Sequence, residues 1–369
     1  MIDSIYVHIP FCAKKCNYCA FNSKVSNEEE ISAYVDALIT EIKNIPYSLY
    51  PYSPISLYFG GGTPTILKIS QLEKIISNLK IDSAAEITIE ANPGTVDENY
   101  LKNLRELGFN RLSLGVQSFN DEILKILGRI HDSKTALETI QNAKKFFDNI
   151  SIDLMYGLPS QKLSDVQRAV EIAVAQDIQH ISIYGLEIEE GTNFGKLYAA
   201  GKLILPDDEK MYDYITENLP RAGFQRYEIS NFAKKNFESR HNLGYWTGAK
   251  YLGFGAGAHS YNGKIRTSNI RDVATYIKKI RAGESVSLVE EIISPNAAME
   301  EFCFLGLRTA KGLSVETFSK KFGRNIFEVY GAVIDKYLKL ELLNFSDGRI
   351  FLTPRGMKLG NIILADFLL

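Results

Sequence analysis

From Ser4 to about Glu189, short β-branched or aromatic runs alternate with longer stretches of helical period. Six runs have strand character: Ser4 to Ile9, Ile55 to Phe59, Glu86 to Glu90, Arg111 to Gln117, Ile150 to Met155 and His180 to Leu186. Between them lie amphipathic segments such as Glu28 to Ile45, Asp97 to Leu107, Ser133 to Phe147 and Leu163 to Ala175, each long enough to cross back over a sheet. This alternation is the pattern of βα units around a parallel sheet. Six units predict an α/β chain, a TIM-like (β/α)6 barrel or partial barrel spanning residues 1–205.

After Leu205 the alternation fades into Gly- and aromatic-rich text, including Tyr227 to Phe232, His241 to Trp246 and Tyr251 to Tyr261. Residues 206–294 are therefore expected to add strands and loops that finish the sheet. A break at Ser294 and Pro295 opens a mostly helical domain over 295–369, with helices over Ala297 to Thr309, Ser314 to Lys321 and Ile326 to Leu340. A hairpin, Leu342 to Phe345 with Arg349 to Leu352, and a last helix from Pro354 complete a winged-helix-like outline. Its nearly balanced charges favour a lid or packing module over a DNA reader.

Composition narrows the function classes. Over 369 residues, 42 Lys plus Arg meet 44 Asp plus Glu for a formal net charge of -2, so no basic field exists to hold nucleic acid. Met1 to Pro10 lack a basic start and a signal-like apolar run, and no apolar stretch is long enough for a transmembrane segment, which predicts a cytoplasmic protein. Of the four cysteines, Cys12, Cys16 and Cys19 cluster while Cys303 stands alone in Glu301-Phe-Cys-Phe-Leu, as a small buried residue on a helix would.

The cysteine segment, Tyr6-Val-His-Ile-Pro-Phe-Cys12-Ala-Lys-Lys-Cys16-Asn-Tyr-Cys19, follows the first strand directly, where barrel folds place reactive groups. Three thiolates suit a four-iron cluster whose remaining iron takes an exchangeable ligand. The alternatives are zinc, for which no fourth ligand stands at finger spacing and His8 would have to turn out of its strand, and free thiols. After the second strand comes Gly60-Gly-Gly-Thr-Pro64, either a tight turn or a place where backbone groups approach a ligand. It lacks the spacing of a P-loop or a dinucleotide fingerprint. Glu90 ends the third strand, Gln117 ends the fourth and Asp153 lies in the fifth, a polar row expected to line one ligand-holding face. Glu90 can accept from an amino group, Asp153 from ribose hydroxyls or an amine, and Arg129 can pair with a carboxylate.

The Cys-x3-Cys-x2-Cys loop, with Tyr18 before its last cysteine and Gly60-Gly-Gly-Thr-Pro after the second strand, resembles the radical S-adenosylmethionine (SAM) superfamily. Tyr6-Val-His-Ile-Pro-Phe-Cys, Gly115-Val-Gln-Ser118, Gly128-Arg129 and Asp153-Leu-Met-Tyr-Gly-Leu-Pro159 are similar to its group of oxygen-independent coproporphyrinogen III oxidases and heme chaperones, over nearly the whole chain. The resemblance implies a radical SAM barrel with Cys12, Cys16 and Cys19 on a 4Fe-4S cluster whose open iron is chelated by SAM. Reduction would then cleave a sulfonium bond to give a 5'-deoxyadenosyl radical. By motif, Tyr6, Gly61, Gly62, Thr63 and Glu90 would hold one SAM, and Tyr18, Gln117, Arg129 and Asp153 would line an adjacent or second nucleotide pocket.

Two departures separate the branches. The oxidase-type pattern has a further cysteine two residues after the third, where this chain has Phe21, and the oxidases carry a long segment before the first strand, where only five residues precede Tyr6. Both match the chaperone branch. His241-Asn-Leu-Gly-Tyr-Trp246 resembles the His-Asn-x-x-Tyr-Trp motif of that branch and holds the single tryptophan. An imidazole beside flat rings suits ligation and stacking of heme, and the plainer reading is a surface histidine next to a core tryptophan. The expectation is a heme chaperone, with cluster, SAM and heme as cofactors and heme-acceptor proteins, respiratory cytochromes or a heme-storing protein, as partners. The alternatives are an oxygen-independent coproporphyrinogen III dehydrogenase and a heme-opening radical enzyme.

Overall fold

The structure, a computed structural model, describes residues 2–45 and 54–369. Six parallel strands, β1 (Ser4–Ile9), β2 (Ser56–Gly61), β3 (Glu86–Ala91), β4 (Arg111–Gln117), β5 (Ile150–Tyr156) and β6 (His180–Gly185), pair in sequence order. Both edges are extended by residues 225–292. The short antiparallel strands β7 (Gln225–Arg226) and β8 (Asn231–Ala233) lie beyond β6. On the other side β9 (Tyr251–Phe254) runs parallel to β1, and β10 (His259–Tyr261), β11 (Ile265–Asn269) and β12 (Ser287–Ile292) follow antiparallel. Together they form one twelve-stranded sheet among the described residues.

The helices between strands are α1 (Glu28–Asn44), α2 (Ile69–Ile76), α3 (Glu98–Glu106), α4 (Asp121–Leu127), α5 (Ser133–Ala143) and α6 (Leu163–Ala175). Asn27, Asp97 and Asp132 cap α1, α3 and α5 by accepting from backbone N–H groups of the first turn. The sequence periodicity does not single out α4, which at seven residues is too short to be marked by its own pattern. Its Asn120 cap and left-handed Gly128 terminus define it instead.

Parallel strands buried on both faces ordinarily read as continuous apolar runs. Here they alternate. Ile5, Val7, Ile9, Leu57, Phe59, Ile87, Ile89, Leu112, Leu114, Ile152 and Ile181 belong to one core with the helices. The intervening residues turn inward and bond to one another across strands: Ser56 to Ser4, Tyr58 to Glu90, Ser113 to Asp153, Ser151 to His180 and Tyr184 to Gln117. The barrel therefore encloses a polar chamber, and its stability comes from the helix-covered outer face.

Beyond β6 come α7 (Asn193–Ala199), α8 (Glu209–Arg221), α9 (Arg240–Trp246) and α10 (Val273–Arg281). The C-terminal module contains α11 (Pro295–Leu307), α12 (Val315–Phe322), α13 (Ile326–Lys339), α14 (Pro354–Lys358) and α15 (Gly360–Ala365), with a small sheet ordered β13 (Leu313–Ser314), β15 (Arg349–Leu352), β14 (Leu343–Ser346). It has its own core around Cys303, Phe318, Tyr330 and Phe367. The hairpin closes through Asp347 and Gly348 at φ 52° and 69°, the positive angles that a two-residue turn matching strand twist requires. The module is tied to the preceding region by Ala310 N–H to Tyr227 O, just after β7, at 3.0 Å and by Lys358 against Asp213 on α8. No helix among the described residues is long and apolar enough to cross a membrane.

Candidate functional site

The cysteine loop is held by hydrogen bonds to several other elements. Cys12 N–H bonds Lys24 O at 3.0 Å and Lys24 N–H returns to Pro10 O at 2.8 Å, closing the loop at its base. Asn17 N–H reaches Leu127 O at 3.0 Å, its Nδ2 reaches Ile126 O at 2.8 Å, and Phe194 N–H bonds Asn17 O at 2.9 Å. Asn22 Nδ2 donates to Ala256 O at 3.0 Å. Elements far apart in sequence thus hold the loop on three sides. Cys12 is buried, and Cys16 and Cys19 are half-buried. Burial raises the Cys12 thiol, and the bond from Thr63 opposes that rise.

The glycine run at the end of β2 is pressed against this loop. A Cβ on Gly62 would stand 2.5 Å from Phe11 O and 2.9 Å from Cys12 Sγ, and one on Gly61, at φ +115°, would stand 2.6 Å from the His8 ring. Neither position admits a side chain. Thr63 Oγ1 donates to Cys12 Sγ at 3.6 Å and accepts from Asn92 Nδ2 at 2.7 Å. Next to the turn, Glu90 accepts from Tyr58 O–H at 2.7 Å and from Gly61 N–H at 3.2 Å. Burial, reinforced by the charge of Asp153, pushes its carboxyl up to about 7 against the Tyr58 bond. Asp153, held by Ser113 at 3.4 Å, is pushed by burial to about 6, with Arg111 opposing.

Arg129 connects the two halves. Its Nη1 donates to Cys16 Sγ at 3.2 Å, its Nη2 to Gly115 O at 2.5 Å and to Asn92 Oδ1, and its Nε is buried without a partner among the described residues. Gln117 sits at φ 69°, a left-handed conformation costing about 1–3 kcal/mol for a non-glycine residue, at a bulge between β4 and β5. Tyr184 O–H donates to its Oε1 at 3.1 Å. Tyr18 packs beside the small cluster of Leu127, Met155 and Phe194. Tyr6 O–H donates to His8 Nδ1 at 3.1 Å, while His8 Nε2 lies 2.8 Å from Asn22 O, so both ring nitrogens of His8 are engaged. His8 offers no ligand to complete a zinc set in this arrangement.

His241 is elsewhere. It lies buried on α9, beside Ser56 at the start of β2, with its backbone N–H on Glu86 Oε1 at the start of β3. The cysteine loop leaves the opposite end of β1. Ser56 Oγ donates to Ser4 Oγ, so His241 Nδ1–H donates to Ser56 at 2.9 Å and Nε2 accepts from Tyr245 O–H at 2.9 Å. The lone pair that a metal would take is therefore occupied. The ring stacks on Tyr58 at 4.9 Å, and burial pushes its pKa down to about 3. The side chain is an internal polar pin in this structure.

Whether the residues fit a 4Fe-4S cluster with SAM rests on three observations. The thiols form a soft donor set, the missing side chains of Gly61 and Gly62 let that backbone lie directly against the cysteine loop, and Arg129 Nε is a buried donor with no acceptor among the described residues. Among the described residues no three His, Cys, Asp or Glu side chains are gathered as for a single metal ion. Sequence reasoning missed Asn92, Tyr58, Asn22 and Arg111. The signal for Tyr58 and Arg111 was the two-residue alternation inside each strand, which marks them as inward-facing; Asn92 and Asn22 carry no such mark.

Residues 6–173 match the family described as the radical SAM superfamily, and residues 293–359 match the HemN C-terminal domain. The chain is 37% identical over 376 residues to a protein named Heme chaperone HemW from Bacillus subtilis (strain 168), covering 100% of this chain and 99% of that one. A protein of the same name from Lactococcus lactis is also 37% identical, at 100% and 97% coverage. The structure of coproporphyrinogen III oxidase (HemN) from Escherichia coli superposes with a TM-score of 0.84 at 24% identity, covering 99% of this chain and 90% of that one, a likeness of fold.

Proposed function

This chain belongs to the family of the heme chaperone HemW within the radical SAM superfamily, and from that premise we propose that it binds heme, carries a SAM-ligated 4Fe-4S cluster and passes heme to acceptor proteins in the cytoplasm. The observation that carries the reading is the end-to-end relationship at 37% identity to proteins named for that role.

Cys12, Cys16 and Cys19 would supply three thiolates, with the remaining iron left for the amino and carboxylate groups of SAM. When bound, the cluster supplies one electron for cleavage of the SAM sulfonium bond. The chain's own residues bind and orient. Glu90 would accept a hydrogen bond from the SAM amino group, and the turn at Gly61, Gly62 and Thr63 would present backbone groups. Tyr6 would close the chamber behind them. Arg129, Gln117, Tyr18 and Asp153 would line the adjacent nucleotide pocket, where Arg129 Nε has a donor to spare.

Phe21 supports a chaperone over a decarboxylase. It occupies the position of the oxidase-type fourth cysteine and is 69% exposed. The test is a hemin titration of the purified chain, with and without the reconstituted cluster. A saturable Soret shift in both forms is expected, and its absence rejects the reading. In an anoxic assay with reductant, SAM and coproporphyrinogen, protoporphyrinogen formation would favour the dehydrogenase instead.

A further inference from the structure

β4 ends in a turn that a glutamine does not favour. Gly115 pairs with Asp153 and Gln117 with Leu154, so Val116 between them drops out of the ladder. Ser118 N–H closes back on Val116 O at 2.9 Å, with Gln117 between them at φ 69°. A three-residue turn with a positive central angle is rare and strained, and it persists only where its surroundings hold it.

The hold comes from the connection between α4 and α5. Arg129 Nη2 donates to Gly115 O at 2.5 Å, and two residues on, His131 Nε2–H donates to Val116 O at 3.2 Å. Alternate residues of one segment thus take consecutive carbonyls of β4. The segment is itself anchored at both ends: Arg129 N–H bonds Leu124 O at 2.9 Å, and Ser133 N–H bonds Asp121 Oδ1 at 2.7 Å.

His131 is buried, and its Nδ1 is enclosed with no hydrogen-bond partner among the described residues. A carbonyl oxygen only accepts, so the ring proton resides on Nε2 and Nδ1 keeps an unmet lone pair. A ring needed only to fill space would be served by Phe, without the cost of that unmet acceptor. Burial, joined by the Arg129 charge, pushes the imidazole down to about 4 against the Val116 bond and the charges of Asp132 and Asp121, which leaves it neutral near pH 7.

Gln117 is what the turn presents. Tyr184 O–H occupies its Oε1 at 3.1 Å, which leaves the amide Nε2 as a donor with no acceptor among the described residues. We propose that His131 is a positioning residue of the nucleotide pocket: it holds the Val116 carbonyl, and through that turn it aims the Gln117 amide at an acceptor oxygen or nitrogen of the bound nucleoside. The inference rests on the pocket reading above and adds a residue that itself touches no ligand.

The test uses the full chain, anaerobically reconstituted, and measures the SAM dissociation constant by equilibrium dialysis beside iron content and melting temperature. His131→Phe keeps a ring and removes the donor, and His131→Gln returns an amide N–H at similar reach. The expected result is that His131→Phe weakens SAM about tenfold, equivalent to about 1.4 kcal/mol, at wild-type iron content, while His131→Gln recovers most of that loss. In a Gln117→Ala background His131→Phe should cost nothing further, because its effect passes through Gln117. If folded His131→Phe binds SAM like the wild type, or if the two substitutions weaken binding additively, the positioning role is overturned and the pocket reading stands. If the reconstituted wild type takes up no SAM, the pocket reading fails and the inference falls with it. Should His131→Phe not fold, nitrogen NMR of the histidine-labelled wild type decides. The His131 signals, identified by their loss in His131→Gln, are expected from a neutral ring protonated at Nε2, and a ring protonated at Nδ1 overturns the inference.

Discussion

Arg129 Nη1 lies 3.2 Å from Cys16 Sγ, which joins the residue after the α4 terminus to the middle cysteine of the loop after β1. The same guanidinium holds Gly115 O and Asn92 Oδ1, so one side chain sets the distance between the cysteine loop and the ends of β3 and β4. Replacement by Gln leaves buried acceptors without their donor, at about 1–3 kcal/mol each before relaxation. Arg129→Gln should lower unfolding free energy in chemical denaturation by roughly that amount, and reduce the iron retained after anaerobic reconstitution. Full iron content with unchanged stability would contradict this account.

The close contact between loop and turn predicts an asymmetry among glycines. Gly62→Ala drives a Cβ to 2.5 Å from Phe11 O, a backbone atom that cannot swing away, so the loop must shift and cluster reconstitution should fall sharply. Gly331 on α13 has nothing within 4 Å of an added Cβ. Gly331→Ala should therefore stabilise by about 0.5–1 kcal/mol through helix propensity, with iron content unchanged. Thermal melts beside iron assays separate the two effects.

The raised Glu90 carboxyl gives a pH dependence with a defined sign. Folding raises its pKa from 4.5 to about 7, so the folded chain binds more protons than the unfolded one between those values. Stability attributable to this group is present below about 4.5 and is lost as pH rises through about 7, by at most about 1.4 kcal/mol per pH unit in that interval. Glu90→Gln should flatten that part of the stability profile. In the proposed site the ionised carboxylate is the better acceptor for the SAM amino group, so wild-type affinity should rise with pH toward 8 while Glu90→Gln stays weak throughout. Calorimetric titrations at several pH values would reveal equal slopes if the reading is wrong.

Cysteine substitutions should divide cleanly. Cys12→Ala, Cys16→Ala or Cys19→Ala should abolish iron-sulfur absorbance after reconstitution. Cys303→Ala should preserve it, because Cys303 is fully buried in the separate core of the C-terminal module. An intact chromophore in the triple variant would refute the cluster assignment.

His241→Ala removes a partner from Ser56 and from Tyr245 in a buried setting, which should lower stability by about 1–3 kcal/mol whatever its effect on heme. Hemin affinity of this variant therefore has to be compared with its melting curve. A melting temperature equal to that of the wild type would show that the internal bonds carry little.

Much of this was legible in order along the chain. Three cysteines after one strand, a glycine run after the next and polar residues at the ends of the third to fifth strands were visible because strand boundaries and short spacings are local properties. The gathering of Glu90 with Gly61, and of Arg129 with Cys16, was foreseeable only as a shared end of the barrel; Asn92, which bonds both Thr63 and Arg129, has no local mark.

His241 shows the limit from the other side. Its neighbours in sequence suggested either an imidazole facing a porphyrin or a surface histidine beside a core tryptophan, and the fold buries it against Ser56 and Tyr58. Residue order and chemistry determined which elements form, where the thiols sit and which face of each strand is apolar, since those follow from periodicity and covalent neighbourhood. Only the tertiary structure decided which lone pairs remain free and which buried donors lack a partner. Those outcomes depend on contacts between segments far apart in sequence, such as His241 with Ser56 and Arg129 with Cys16, and no local pattern encodes them.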